Sequence, residues 1–328
     1  MNSRFEFGIY PGGAAGTDTG ITSGPIDDPL MMKEALNQLQ GASEIMIVRA
    51  YIGFKGAGHG ITETPLRPEE CLSFNRKLDL VLCFQSPLLI STEWKAFITN
   101  AIERFSTHLR YLQITEEANV NLPSLDGFYP DSKKALVDGV VWAKKEVLRL
   151  SLAVSVGFNA TPDFNPDKTF WKDIKGLASD EFYKSLDYVG LDCFPDVFRA
   201  LPLVDGIPDI SGAIRMLLTM FSIDIVSAGI DRSIPLHITE NGWPTGKSRS
   251  DERQAYMLEA IVKTLFALRI EFNIETYELF CLRDADSSVD DLFFQFGILR
   301  DDYSKKPAFG VFEKLIKELT LTERIFNA

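Results

Sequence analysis

Acidic side chains gather in a few short segments of this sequence, each placed just after an apolar run. Thr115-Glu116-Glu117-Ala118-Asn119 is one such segment and Thr239-Glu240-Asn241-Gly242-Trp243 another. Asp192-Cys193-Phe194-Pro195-Asp196 and Arg283-Asp284-Ala285-Asp286 repeat the arrangement. Two carboxyl groups facing one another across a cleft can cleave an acetal. One protonates the leaving oxygen, and the other attacks the anomeric carbon or activates water to do so. A gap of about 5–5.5 Å between them gives retention of configuration and a wider gap inversion. A lone glutamate at a strand end is more often part of a surface ion pair. Two on separate elements, aimed at one place, are harder to assign to that role.

Other chemistries fit less well. His59, His108 and His237 form no cluster with carboxylates at metal-ligand spacing, so no metal is expected. His59 lies in a Gly-rich loop from which it could reach a substrate. Cys71, Cys83, Cys193 and Cys281 contain no Cys-x-x-Cys pair and read as buried free thiols. A Schiff-base mechanism wants a lysine at an inner strand position. Lys55 and Lys77 lie near strand ends but outside the apolar pattern. Pro11-Gly12-Gly13-Ala14-Ala15-Gly16 is Gly-rich, yet does not run into a helix with dinucleotide-binding spacing. No cofactor is expected.

The elements that must position these groups follow one rhythm, a short strand and then a helix. Strands are expected at Phe5–Tyr10, Glu44–Tyr51, Leu78–Phe84, Leu109–Thr115, Leu150–Val156, Leu186–Leu191, Ile234–Thr239 and Ile274–Leu279. Helices are expected at about Pro29–Gln40, Pro68–Lys77, Thr92–Phe105, Asp131–Arg149, Lys168–Lys184, Ile210–Ser227, Asp251–Arg269 and Pro307–Leu319. Runs such as Ile45-Met46-Ile47-Val48 suit parallel strands buried on both faces. Eight such units in 328 residues predict one (β/α)₈ TIM barrel spanning residues 1–328, with no linker to a second domain. Barrel active sites lie at the C-terminal ends of the strands, where the acidic segments fall. Strands four and seven lie across the mouth from each other.

Within that frame, Leu236-His237-Ile238-Thr239-Glu240-Asn241-Gly242-Trp243-Pro244-Thr245 resembles the seventh-strand nucleophile segment of the clan A retaining glycoside hydrolases. Tyr111 to Asn119 is similar to the clan's fourth-strand segment, which carries an Asn-Glu pair. Tyr277 to Asp284 and Phe296 to Ala308 also resemble the clan. The resemblance implies a glycosidase, with β-linked substrates expected and Glu240 as nucleophile. The Asn-Glu pair appears here as Glu116-Glu117. One alignment makes Glu117 the acid/base and puts Glu116 where the clan has an asparagine that donates to the sugar 2-hydroxyl. The other makes Glu116 the acid/base. The first places Ala118-Asn119 at the motif's tail. An ionised glutamate accepts hydrogen bonds and donates none, and a second charge raises its neighbours' pKa. The clan's sixth-strand tyrosine is absent from Asp192-Cys193-Phe194. A carbohydrate-binding barrel with impaired catalysis is therefore the alternative to an active hydrolase.

Arg49, at the end of strand two, is expected to hydrogen-bond Glu240 bidentately and keep it ionised. Tyr10, Tyr51 and Asp192 are expected to wall the site, and Trp243 to stack on a sugar ring. His237 has the opposite strand parity to Glu240 and is expected to face the surrounding helices. An activity optimum on the acid side is expected, its basic limb set by Glu117.

The net charge of −12, from 34 basic and 46 acidic residues, disfavours nucleic acid and anionic membranes as partners. No apolar run is read as reaching the length of a membrane span, and no obligate protein partner is evident. Met1 is followed within a few residues by the charged strand Arg4 to Tyr10, so a cytoplasmic location is expected.

Overall fold

A computed structural model describes residues 5–326 except 44 and 74. Eight parallel strands form the barrel: β1 (Glu6–Ile9), β2 (Met46–Phe54), β3 (Arg76–Phe84), β4 (Leu109–Ile114), β5 (Ser155–Ala160), β6 (Tyr188–Asp192), β7 (Leu236–Asn241) and β8 (Ile274–Leu279). Each pairs with the next in chain order. The ring closes because β1 also pairs with β8, with Ile9 opposite Leu279. A short strand, Ile61–Thr64, folds back antiparallel on the top of β2 and extends its wall above the barrel.

The outer ring comprises α1 (Pro29–Gln40), α2 (Ser91–Phe105), α3 (Ser132–Arg149), α4 (Thr169–Leu177), α5 (Asp180–Ser185), α6 (Ile210–Ser227), α7 (Asp251–Phe272) and α8 (Pro307–Phe326). Local chemistry sets their ends. Asp28 caps α1 by accepting from the Leu30 and Met31 amides, with Pro29 at the first position. Ser250 caps α7 in the same way, and Asn273 ends it in the left-handed conformation.

Several boundaries differ from the sequence reading. The helix expected over Pro68–Lys77 is one 3₁₀ turn, Pro68–Cys71, and Arg76 and Lys77 belong to β3. The expected Lys168–Lys184 helix is broken at Ala178-Ser179, where the Ser179 side chain caps α5. The fifth strand starts at Ser155, not Leu150, because α3 unwinds through Ser151 at φ 55°. Glu44, read as the start of the second strand, lies outside the described residues, as does Arg4.

One helix, α6, is long and apolar enough by composition to cross a membrane, contrary to the sequence reading. Its face of Ile214, Leu218, Phe221 and Ile225 is buried within the barrel's outer layer, where α6 packs on α4 and α7. All four cysteines are buried thiols.

Inside the barrel, side chains stack in layers, as the fold requires. The lowest layer holds Ile47, Tyr111, Tyr188 and His237. The His237 ring stacks on Tyr188 at 4.1 Å and meets Tyr111 edge-on at 4.6 Å. His237 thus faces the lumen and not the helices. The parity argument fails because β7 carries a bulge: Ile238 pairs with Leu191, but Glu240, two residues on, pairs with the very next residue, Asp192. Thr239 and Glu240 consequently both turn inward. A Cβ on Gly190 would come within 2.6 Å of the Thr239 hydroxyl and 2.8 Å of Asn159 Cβ, so only glycine admits this layer.

Candidate active site

Above the aromatic layer the lumen becomes polar. Arg49 projects from β2 and is fully buried. Its Nη1 donates to Asp79 Oδ2 at 2.7 Å, and its Nη2 to Gln113 Oε1 at 2.9 Å and Glu116 Oε2 at 3.1 Å. Its Nε donates to the Tyr51 hydroxyl at 2.8 Å, and that hydroxyl donates onward to Glu240 Oε1. The guanidinium therefore lies beside Glu240, with Nε 3.8 Å from Oε1. The expected bidentate bond is replaced by a relay through Tyr51, and Arg49's forked donors serve Asp79, Gln113 and Glu116.

The fourth strand ends in an unusual backbone. Thr115 has φ 67° and Glu117 φ 43°, both in the left-handed region. Such conformations cost about 1–3 kcal/mol each and persist only when neighbours hold them. Asp126 does so: its Oδ2 accepts from the Glu116 amide at 2.8 Å and the Phe84 amide. The Glu117 amide donates to Asn159 Oδ1 at 2.9 Å. The kinked chain brings both Glu116 and Glu117 to the mouth, which strand alternation would forbid.

The two glutamates differ in their partners. Glu116 is pinned: besides Arg49, its Oε2 accepts from Gln113 Nε2 at 2.7 Å, and its Oε1 from Asn159 Nδ2 at 3.1 Å. Glu117 has no such cationic contact. Asp192 accepts from Thr239 Oγ1 at 2.7 Å and from Asn159 Nδ2. One carboxylate oxygen each of Glu116, Glu117, Asp192 and Glu240 lie within 4.8 Å of one another.

Four carboxyls so close, with one guanidinium beside them, cannot all ionise at neutral pH. Burial, then the charge of Glu116, pushes Glu240 up to about 8, against the pull of Arg49 and Tyr51. Burial, with the charges of Glu116 and Glu240, holds Glu117 well above the ordinary carboxyl range. Asp192 is raised likewise. Arg49 and the Tyr51 hydroxyl oppose that rise at Glu240, whereas the charges of both Glu116 and Glu240 add to it at Glu117.

This crowding has a cost. Between the unfolded value near 4.5 and the folded value near 8, native Glu240 binds a proton that the unfolded chain has released. Stability therefore falls as pH rises through that window. His237, buried and held down to about 3, acts in the opposite sense below its ordinary pKa. Comparing two proteins cancels that background. Glu240→Gln is expected to match the wild type near pH 4.5 and to exceed it by about 2–4 kcal/mol at pH 8. Urea unfolding at both pH values measures this. A gap that does not grow with pH would show that Glu240 is not electrostatically strained.

These groups line an open cleft of about 940 Å³. Glu116, Glu117, Tyr51, Asp192 and Glu240 all face it. Tyr10 does not. It is wholly buried, bonds Thr64 and stacks on Phe280 at 5.4 Å, supporting the wall from behind. Trp243 is not among the lining residues either. It is buried, with Arg249 over its ring at 4.8 Å and Gln254 bonded to its carbonyl, so the expected sugar platform is a packing residue. His59 is exposed and also away from the lining.

Asp79, Gln113, Asn159, Asp126 and Glu278 were not singled out from sequence. For four of them a signal existed: each is a polar residue at an inward-facing position of a strand, as with Asp79 between Leu78 and Leu80. Glu278, on β8, is raised well above the carboxyl range by burial and by Asp79. A Cβ on Gly8 would fall 2.7 Å from Glu278 Cγ, so glycine in β1 makes its room. Asp126 opens a 3₁₀ turn, Asp126–Phe128, between β4 and α3 and leaves no such trace.

No family model matches the chain, and no curated protein does. Solved structures share its fold. A family 39 glycoside hydrolase from the gut symbiont Bacteroides cellulosilyticus WH2 superposes with a TM-score of 0.63 at 13% identity, covering 97% of this chain and 64% of that one. A glucosidase from Croceicoccus marinus gives 0.62 at 13% identity, covering 96% and 71%. A family 17 β-1,3-glucanosyltransferase from Rhizomucor miehei gives 0.55 at 14%, covering 93% and 97%. The chain thus spans just under two thirds of the length of the family 39 enzyme. The barrel of this protein is the barrel on which these glycoside hydrolases are built.

Proposed function

We propose that this protein is a retaining glycoside hydrolase acting on β-linked substrates, with Glu240 as nucleophile and Glu117 as acid/base. The observation that carries this is the approach of Glu117 and Glu240 across an open barrel mouth, with carboxylate oxygens within 4.8 Å. That spacing leaves no room for a water between base and sugar and suits direct attack. In the first step Glu240 attacks the anomeric carbon while Glu117 gives its proton to the leaving oxygen. In the second, Glu117 takes a proton from water, which displaces Glu240. Arg49 and the Tyr51 hydroxyl hold the Glu240 carboxylate in one orientation and favour its charged form. Structures of the same fold described as a glucosidase, a β-xylosidase and an exo-β-1,4-mannosidase support β-glycoside chemistry without choosing a sugar.

Glu116 stands at the place of the clan's asparagine. Its oxygens accept from Arg49, Gln113 and Asn159. It can take a hydrogen bond from a sugar hydroxyl where the asparagine would give one. The alternative, a binding protein without catalysis, loses support because the mouth is not plugged: both proposed catalytic carboxyls face the cleft. A panel of 4-nitrophenyl β-glycosides tests the proposal. Hydrolysis of at least one, with the β-anomer as first product by proton NMR, is expected. No hydrolysis, or an α-anomer first product, would overturn it.

A further inference from the structure

The cleft has two unlike halves. On the side of β1 to β4 its lining is mixed, with the polar side chains of Gln85, Thr62, Lys55 and Ser124 among Ile21, Val120 and Leu122. Beyond them, on the side of β6 to β8, it turns into a continuous aromatic wall. Phe280, which follows β8 beside Glu240, meets Phe296 edge-on at 5.5 Å. Phe296 meets Phe194 at 5.7 Å, Phe194 meets Phe198 at 5.8 Å, and Phe198 lies 6.1 Å from Phe293. All five rings line the cleft, and so does Met216 of α6. The wall opens outward: Phe198 is 58% exposed and Met216 47%.

The charged groups on this side are already engaged. Asp196 pairs with Arg253 at 3.4 Å, and the Arg199 guanidinium lies 4.0 Å over the Phe164 ring. None of the four tryptophans lines the cleft. A second sugar would need hydrogen-bond partners for its hydroxyls, and this half supplies few. A hydrocarbon chain or fused ring needs none, and gains from every methylene it hides.

Resting on the glycosidase reading, we infer that the leaving group is apolar: the substrate is a glycoside of a long-chain or polycyclic alcohol, with the sugar at the carboxylates and its aglycone along the wall from Phe280 to Phe198. Burying a methylene fully is worth roughly a fourfold change in binding, and an open groove realises part of that.

The test uses n-alkyl β-glycosides from hexyl to decyl, kept below their critical micelle concentrations, of whichever sugar the nitrophenyl panel selects. The expected result is a rise in kcat/KM of at least about tenfold from hexyl to decyl, with unbranched oligosaccharides of the same sugar cleaved more slowly than the decyl glycoside. In Phe198→Ser and in Met216→Ser, both at exposed positions, the decyl-to-hexyl ratio is expected to fall at least threefold. Chain-length independence, or preference for oligosaccharides, would overturn the inference while nitrophenyl hydrolysis left the glycosidase reading standing. If no nitrophenyl glycoside is cleaved, that reading fails and calorimetric titration with the alkyl β-D-glucosides decides this one. Affinity rising with chain length, and weakened by Phe198→Ser, would sustain an apolar-ligand site, and affinity that does not rise would end it.

Discussion

Glu240→Ala is expected to lower hydrolysis by roughly 10⁴–10⁶-fold, the scale seen when a covalent nucleophile is removed, while leaving the fold intact. The retained fold follows from the crowding at the mouth: deleting one of four mutually repelling carboxyls relieves strain. Of the partners that Glu240 leaves behind, Arg49 keeps Asp79 and Glu116, and the Tyr51 hydroxyl keeps the Arg49 donor and faces the open cleft, where water can accept its proton. The alanine also opens space on the face from which Glu240 would attack. A small anion such as azide is expected to enter it and restore part of the turnover with activated glycosides, giving the α-glycosyl azide, because the attack is then single rather than double. Wild-type rates in the variant, or azide products of retained configuration, would remove Glu240 from the mechanism.

Glu117→Gln is expected to show a different signature. A general acid contributes about 10²–10⁴-fold, and only where the leaving group needs its proton. Alkyl glycosides should therefore slow by that factor in the first step, and dinitrophenyl glycosides far less. The pH profile carries the same assignment. Activity needs Glu240 ionised and Glu117 protonated, and both carboxyls are raised by burial and by each other. The optimum is accordingly expected near neutral pH or above, not on the acid side as the sequence alone suggests. The basic limb should vanish in Glu117→Gln. In Glu116→Gln it should move to lower pH, since the charge of Glu116 is the largest neighbouring contribution holding Glu117 up. If Glu116→Gln instead shows the leaving-group signature, the two glutamates exchange roles. The geometry argues against that exchange, because Glu116 is bound by three donors and Glu117 is not.

Much of this arrangement is legible in the sequence, and the departures from it have physical causes. Strand–helix alternation reveals the barrel, because buried parallel strands leave short apolar runs at regular intervals between helical patterns. It also puts Glu116, Glu117, Asp192 and Glu240 at one rim. What it cannot give is the direction of a side chain where the backbone leaves regular strand geometry. His237 and Trp243 depart from expectation for that reason, the first at the bulge in β7 and the second in the irregular segment that follows the strand. The helix expected after β2 fails differently. Its charged residues have helical composition, but Arg67 sits at φ 55° and the following residues close only one turn before β3 begins. The inner polar layer of Asp79, Gln113 and Glu278 is legible in principle, as polar side chains where alternation predicts a packed interior. These residues sit in strand middles, away from the strand ends where barrel chemistry is expected.

The bulge in β7 bears on how relatives of this chain should be aligned. In a regular strand, His237 and Thr239 would face inward and Glu240 outward. With the bulge, Thr239 is a supernumerary residue, and its hydroxyl is spent on Asp192. A homologue lacking that one residue would recover simple alternation and still present its glutamate to the lumen. A single-residue gap before the glutamate is therefore compatible with an unchanged nucleophile. The absence of a threonine-to-aspartate bond across β6 and β7 would identify the shorter lineage, where matching by residue count would place the gap wrongly.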